Sequence, residues 1–70
     1  MNRVRVVSSN LYSVGYDPSC LTLEVQFTSG AIYQYFRVAA VVYAGLMSAT
    51  SKGRYFARFI RDIYSYVQVA

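Results

Sequence analysis

Seventy residues with 56% hydrophobic and only 14% charged side chains make one domain's length of chain, too apolar for a disordered segment and near the lower limit at which a single core sustains a fold. Seven Lys and Arg against three Asp and Glu give a net charge of +4 and a pI near 9.5, which favours phosphate-bearing or otherwise acidic partners. With no His and three acids, the side chains for a metal cluster, a carboxylate dyad or a Ser-His pair are missing, so the chain is expected to be non-catalytic and to use no metal or other cofactor.

Cys20 is the single cysteine, which excludes an intramolecular disulfide and makes a reducing compartment the simpler expectation. The start MNRVRVVSSN carries two arginines but no apolar run of signal-peptide length. The longest apolar run, Val38 to Met47, is about half the ~20 residues that a membrane-spanning helix needs. A single cytoplasmic domain over residues 1–70 is expected.

In chain order, Val4, Val6 and Val7 suit an extended edge, and Ser8-Ser9-Asn10 offers side chains that compete for backbone hydrogen bonds and favour a loop. Tyr12, Val14 and Tyr16 then alternate with Ser13 and Gly15, which predicts a strand of about residues 10–16. Asp17-Pro18-Ser19-Cys20 reads as a turn, with Asp at its first position and Pro at its second. Leu21, Leu23, Val25 and Phe27 alternate with Thr22, Glu24, Gln26 and Thr28 in a second strand of about 21–28. Ser29-Gly30 suits a two-residue hairpin loop, and a third strand follows over about 31–38.

That loop length sets the expected faces. Phe27 would oppose Ile32, Val25 Gln34, Leu23 Phe36 and Leu21 Val38, giving a core face with Gln34 as its polar member. Tyr33, Tyr35 and Arg37 would share the other face, opposite Gln26, Glu24 and Thr22. Across the first loop, Tyr16 is expected beside Leu21, Val14 beside Leu23 and Tyr12 beside Val25. The three strands make an antiparallel meander whose apolar face needs a covering layer.

The second half supplies that layer. Ala39 to Ala49, AAVVYAGLMSA, is apolar nearly throughout, and its length and alanine content predict a helix without a polar face. Such a helix is either buried on most sides or exposes Val41, Ala44 or Met47 to a partner or a second copy. Gly45 would let it approach the sheet. Thr50-Ser51 is a helix start, followed by Tyr55, Phe56, Phe59, Ile60 and Ile63 at helical spacing on one side and by Arg54, Arg58 and Arg61 on another. Asp62 stands four residues after Arg58, a spacing that suits a pair. The alternating tail Tyr64 to Val69 suits either a short fourth strand or a docked extended end. The expected fold class is α+β: a three-stranded antiparallel β-meander packed against two α-helices, with room for a short fourth, C-terminal strand.

Two readings of function stay open at this point. Tyr33 and Tyr35 with Arg37 on one sheet face match the aromatic and basic platform on which single-stranded bases stack, with Lys52, Arg54, Arg58 and Arg61 as phosphate contacts. Thr50 to Arg54 also offers a helix start with Gly and Lys, which suits an anion, although a capped helix start in which Gly53 allows tight packing is the simpler reading. The other reading is a protein-interaction or self-associating module that uses the apolar helix 39–49, as a homodimer or against another protein.

The segments SSNLYSVGYDPSCLTLEVQFTSGAIYQYFRV and VVYAGLMSATSKGRYFARFIRDIYSY resemble the KTSC domain family over about residues 8–66. The resemblance rests on Ser8-Ser9, Gly15-Tyr16-Asp17, the Leu23, Val25, Phe27 alternation before Gly30, Tyr33-Gln34-Tyr35, and Ser51-Lys52-Gly53 with Tyr55-Phe56. It implies a small domain known as a stand-alone protein of bacteria and phages and at the C-terminus of some lysyl-tRNA synthetases. It also implies that the function to test first is RNA binding.

Overall fold

A computed structural model describes residues 1–70. Five strands form one antiparallel sheet in the order β1 (Val4–Arg5), β2 (Leu11–Asp17), β3 (Thr22–Phe27), β4 (Ile32–Tyr35) and β5 (Tyr66–Gln68). The helices α1 (Ala40–Ser48) and α2 (Lys52–Phe59) lie in sequence between β4 and β5 and cover one face of the sheet. The α+β class and the meander with its two helices are as expected, and the alternating tail does add an edge strand.

The core forms where the strand alternation meets the helices. Leu11, Val14, Leu23, Val25, Tyr35 and Val38 from the sheet side are buried against Leu46 of α1 and Phe56 and Ile60 from α2 and its C-cap. Gly45 serves the contact between the two helices rather than an approach to the sheet: a Cβ there would run into the Tyr55 hydroxyl, which donates to the Val42 carbonyl at 3.1 Å. No helix is long and apolar enough to cross a membrane.

Both hairpin registers differ from the expected ones, with unequal consequences. The β3–β4 loop has three residues, Thr28 to Gly30: the Phe27 amide donates to Ala31, the Gly30 amide donates to Phe27, and Gly30 takes φ +98. That is a tight turn followed by a residue in the left-handed region, a geometry that glycine permits at low cost. One extra loop residue shifts the pairing to Leu23 with Tyr35 and Val25 with Tyr33. Every β4 side chain therefore changes face relative to the expectation. Tyr33 and Tyr35 lie on the core face, Gln34 and Phe36 on the other, and an open platform of tyrosines on the outer face does not exist.

The β2–β3 register is displaced by two, pairing Val14 with Val25 and Tyr16 with Leu23, so the faces survive. Leu21 ends this loop at φ +55 and is 41% exposed instead of joining the core. An irregularity between Leu11 and Ser13 turns Leu11 inward in place of Tyr12, which is exposed. β4 stops at Tyr35 because Arg37 takes φ +60, although Val38 beyond it is buried and donates its amide to the Leu21 carbonyl.

The outer face of the sheet carries a polar network in place of a helix. Glu24, 6% exposed, pairs with Arg3 and accepts from the Gln34 amide at 2.8 Å. Ser13 accepts from Arg3 Nε at 3.0 Å and donates to Gln26 at 2.8 Å. Burial alone would push the Glu24 carboxyl up, but the Gln34 hydrogen bond and the Arg3 guanidinium outweigh it and hold the group below the usual carboxylate value. Met1 to Arg3 lie against Gly15, where a Cβ would come within 2.6 Å of the Asn2 carbonyl.

Candidate nucleic-acid interface

The β3–β4 register that turns the tyrosines inward also assembles them. The Tyr33 and Tyr35 rings are nearly parallel with centroids 6.4 Å apart, and Tyr66 of β5, paired with Tyr35 in the sheet, lies 5.6 and 5.5 Å from them. Phe27 meets Tyr33 edge-on at 5.6 Å, and Phe56 meets both Phe27 and Tyr35 edge-on at 5.4 Å. Edge-on and offset contacts suit the quadrupole of aromatic rings, so the cluster is held by geometry as well as by burial.

The cluster lines a cleft of about 430 Å³ between the β4–β5 end of the sheet and α2. Gly53 and Ala57 supply a wall of small residues from α2, while Asn10, Ser29, Arg61 and Asp62 stand around it as polar groups. Tyr35 forms the floor at 3% exposure, whereas Tyr66 is 55% exposed and Tyr33 is intermediate. Burial, with the neighbouring Tyr33 and Tyr66 hydroxyls adding to it, pushes the Tyr35 phenol up to about 12.

The expected cations are distributed around this cleft unevenly. Arg61 lines it and contacts Asp62 at 3.7 Å, so Asp62 pairs with its neighbour and not with Arg58. α2 ends at Phe59, and the Arg61 amide closes the last turn on the Phe56 carbonyl, so Arg61 stands beyond the regular helix. Ile63 likewise leaves the expected apolar helix face and is 61% exposed. Arg54 and Arg58 are exposed on α2, with the Arg58 guanidinium 5.5 Å from the Phe59 ring. Lys52 donates to the Ala49 carbonyl at 3.2 Å, at the end of α1. Arg37 is exposed away from the tyrosines, beside Phe36 and Ile63 to Ser65.

The start of α2 is closed by the protein's own groups. Ser51 accepts from the Arg54 amide at 3.4 Å, and a Cβ on Gly53 would fall 2.6 Å from the Asn10 side-chain oxygen. The capping role of Thr50 to Arg54 is thus the one its geometry displays. Tyr66, Asn10, Phe27 and Phe56 were not among the expected site residues. The alternation of the tail placed Tyr66 on a strand, but only its pairing with Tyr35 brings it to the cleft. No group of three His, Cys, Asp or Glu side chains is placed to hold a metal ion.

The apolar helix offers a second surface. In α1 only Leu46 is fully buried; Val41 is 75% exposed, Ala40 and Ala44 are exposed, and Met47 packs partly against the core. Cys20 is exposed in the β2–β3 loop, with its thiol donating to the Thr22 hydroxyl at 3.3 Å.

The chain is 50% identical over 56 residues to an uncharacterized protein of Stutzerimonas stutzeri, spanning 80% of this chain and 79% of that one. It is 44% identical over 55 residues to a lysine–tRNA ligase of a Nostoc species, where the shared region is 79% of this chain but 10% of the ligase. The crystal structure of a KTSC domain protein from Yersinia pestis superposes with a TM-score of 0.96 at 38% identity, covering 99% of this chain and 97% of that one. The family model of the KTSC domain matches residues 7–66, and with these relatives it establishes that the chain belongs to the KTSC domain family.

Proposed function

We propose that this domain binds single-stranded RNA without catalysis, taking an unpaired base into the aromatic cleft and holding the flanking phosphates with its arginines. The observation that carries this reading is the cleft itself: an exposed Tyr66 ring and a half-buried Tyr33 beside Arg61, on a protein of net charge +4. Bases stack on such rings irrespective of sequence, and cations follow the backbone. Arg54 and Arg58 extend the positive surface along α2, with Lys52 and Arg37 as outlying phosphate contacts. The shared region in lysine–tRNA ligases, enzymes whose name states an RNA substrate, supports the same ligand class. A cytoplasmic site of action fits that ligand.

Stacking falls to Tyr66 and Tyr33, while Tyr35 supports them from below. Binding of a labelled oligoribonucleotide measured over a range of salt concentrations tests this. Each phosphate neutralised on a single strand contributes about −0.7 to the slope of log affinity against log salt, so Arg54 and Arg58, exposed on α2 outside the cleft, together predict roughly −1.4. Replacing the two with Gln should flatten that slope. Absence of binding at low salt by the folded protein would refute the reading and favour the alternative, a homodimer or protein complex through α1. That alternative has its own observation, the exposed Val41 on a helix without a polar face.

A further inference from the structure

The three acids of the chain are differently engaged. Asp17 accepts from the Ser19 amide and hydroxyl at 2.9 and 2.6 Å, and Glu24 is buried against Arg3 and Gln34. Asp62 alone lines the aromatic cleft, with its side chain 83% exposed and its one charged neighbour, Arg61, at 3.7 Å, beyond a good hydrogen bond. A carboxylate at a site for a polyanion repels phosphate, and what it can accept from a nucleic acid there is the N–H groups of a base edge.

We infer that Asp62 and Arg61 read the Watson–Crick edge of a guanine stacked on Tyr66, making the cleft a guanine-selective pocket. This rests on the proposed single-stranded RNA binding and names the base that the same cleft prefers. The chemistry of the edges decides between bases. Guanine presents, in sequence, the O6 acceptor and the N1–H and N2–H donors. An ionised carboxylate is acceptor-only and meets the two donors side by side, while the guanidinium is donor-only and meets O6. Together they reproduce the donor-acceptor-acceptor order of a cytosine edge. Adenine and cytosine each place a ring-nitrogen acceptor beside their amino group, and uracil flanks its single N–H with carbonyls. Each of these turns a lone pair toward the carboxylate. Single-stranded RNA exposes this edge for such contacts, with stacking on an aromatic ring as the second component.

The test compares four short oligoribonucleotides of one length, differing at a central G, A, C or U in an otherwise uniform uridine strand, by titration of tyrosine fluorescence. A bidentate base contact predicts a preference for G of roughly tenfold to a hundredfold. Asp62→Asn, at an exposed position, should bring G to parity with A while the salt slope persists. Inosine in place of guanine, which lacks the N2 amino group, should lose much of the preference on the unaltered protein. Binding of all four strands with equal affinity would overturn the guanine assignment and leave RNA binding standing. Binding of none at low salt would overturn both. A G preference unchanged in Asp62→Asn would overturn the role of Asp62.

Discussion

The two ends of the helix-covered sheet face are built from different side chains and close to different extents. At the β2–β3 end, Val14, Leu23 and Val25 are fully buried with Leu46 and Ile60. At the β4–β5 end, Tyr33, Tyr35, Tyr66, Phe27 and Phe56 surround a cleft that reaches solvent. Branched aliphatic side chains interdigitate and leave no gap, whereas flat rings meeting edge-on at 5.4 to 5.6 Å leave space between them. The aliphatic end is therefore closed core, while the aromatic end both completes the core and lines an open cleft.

The largest test of this division is Leu23→Ala at the closed end. Deleting a fully buried Leu removes on the order of 2 to 5 kcal/mol, a large share of the ~4 to 10 kcal/mol expected for a domain of this size. Denaturant unfolding should show a midpoint shifted far toward zero or a chain that no longer folds. A small shift would mean that the closed end is not the seat of stability.

Next in size is Glu24→Gln, which asks whether the outer face supports the same central strand. Losing a charge-assisted contact in a nearly buried site should destabilise by roughly 1 to 3 kcal/mol. The Glu24 carboxyl sits lower in the folded state than its ordinary value of 4.5. Its contribution is thus complete above that value and lost as pH falls through the folded value. Acid unfolding of the wild type, weakened in its pH dependence by Glu24→Gln, is the expected measurement.

The aromatic end should show the opposite pH limit. Tyr35 is held neutral by burial, so its contribution is complete below the ordinary value of 10.0 and is lost as pH rises toward about 12. Tyr35→Phe should unfold less readily in alkali than the wild type, as followed by circular dichroism. The smallest stability effect belongs to Tyr66→Ala. Its ring is more than half exposed, so the loss should be about 1 kcal/mol or less, while RNA affinity should fall by about 1 to 3 kcal/mol.

Much of the fold was legible because period two and period 3.6 are direct consequences of burying one face. The alternation through Leu23, Val25 and Phe27 located a strand, and the tail through Tyr66 located another. Loop length was not legible, since Ser29-Gly30 suits a two-residue loop as well as the second half of a three-residue one. That single residue decided whether Tyr33 and Tyr35 faced the helices. The candidate site inherits the error: Tyr33 and Tyr35 do share a face, but it is the face that the helices cover. Tyr66 was missed because its neighbourhood depends on the chain returning from α2 to the far edge of β4. The basic stripe on α2 was legible only as far as the helix runs, and Arg61 owes its place in the cleft to the turn after Phe59.

The claim that the aromatic end is a binding surface is tested most directly by an NMR titration of the labelled protein with a short single-stranded RNA at low salt. The predicted result is a set of shifts centred on Asn10, Tyr33, Arg61, Asp62 and Tyr66, saturating with RNA and lost in Tyr66→Ala. Shifts confined to α1 around Val41, or a folded protein whose spectrum RNA leaves unchanged, would contradict it.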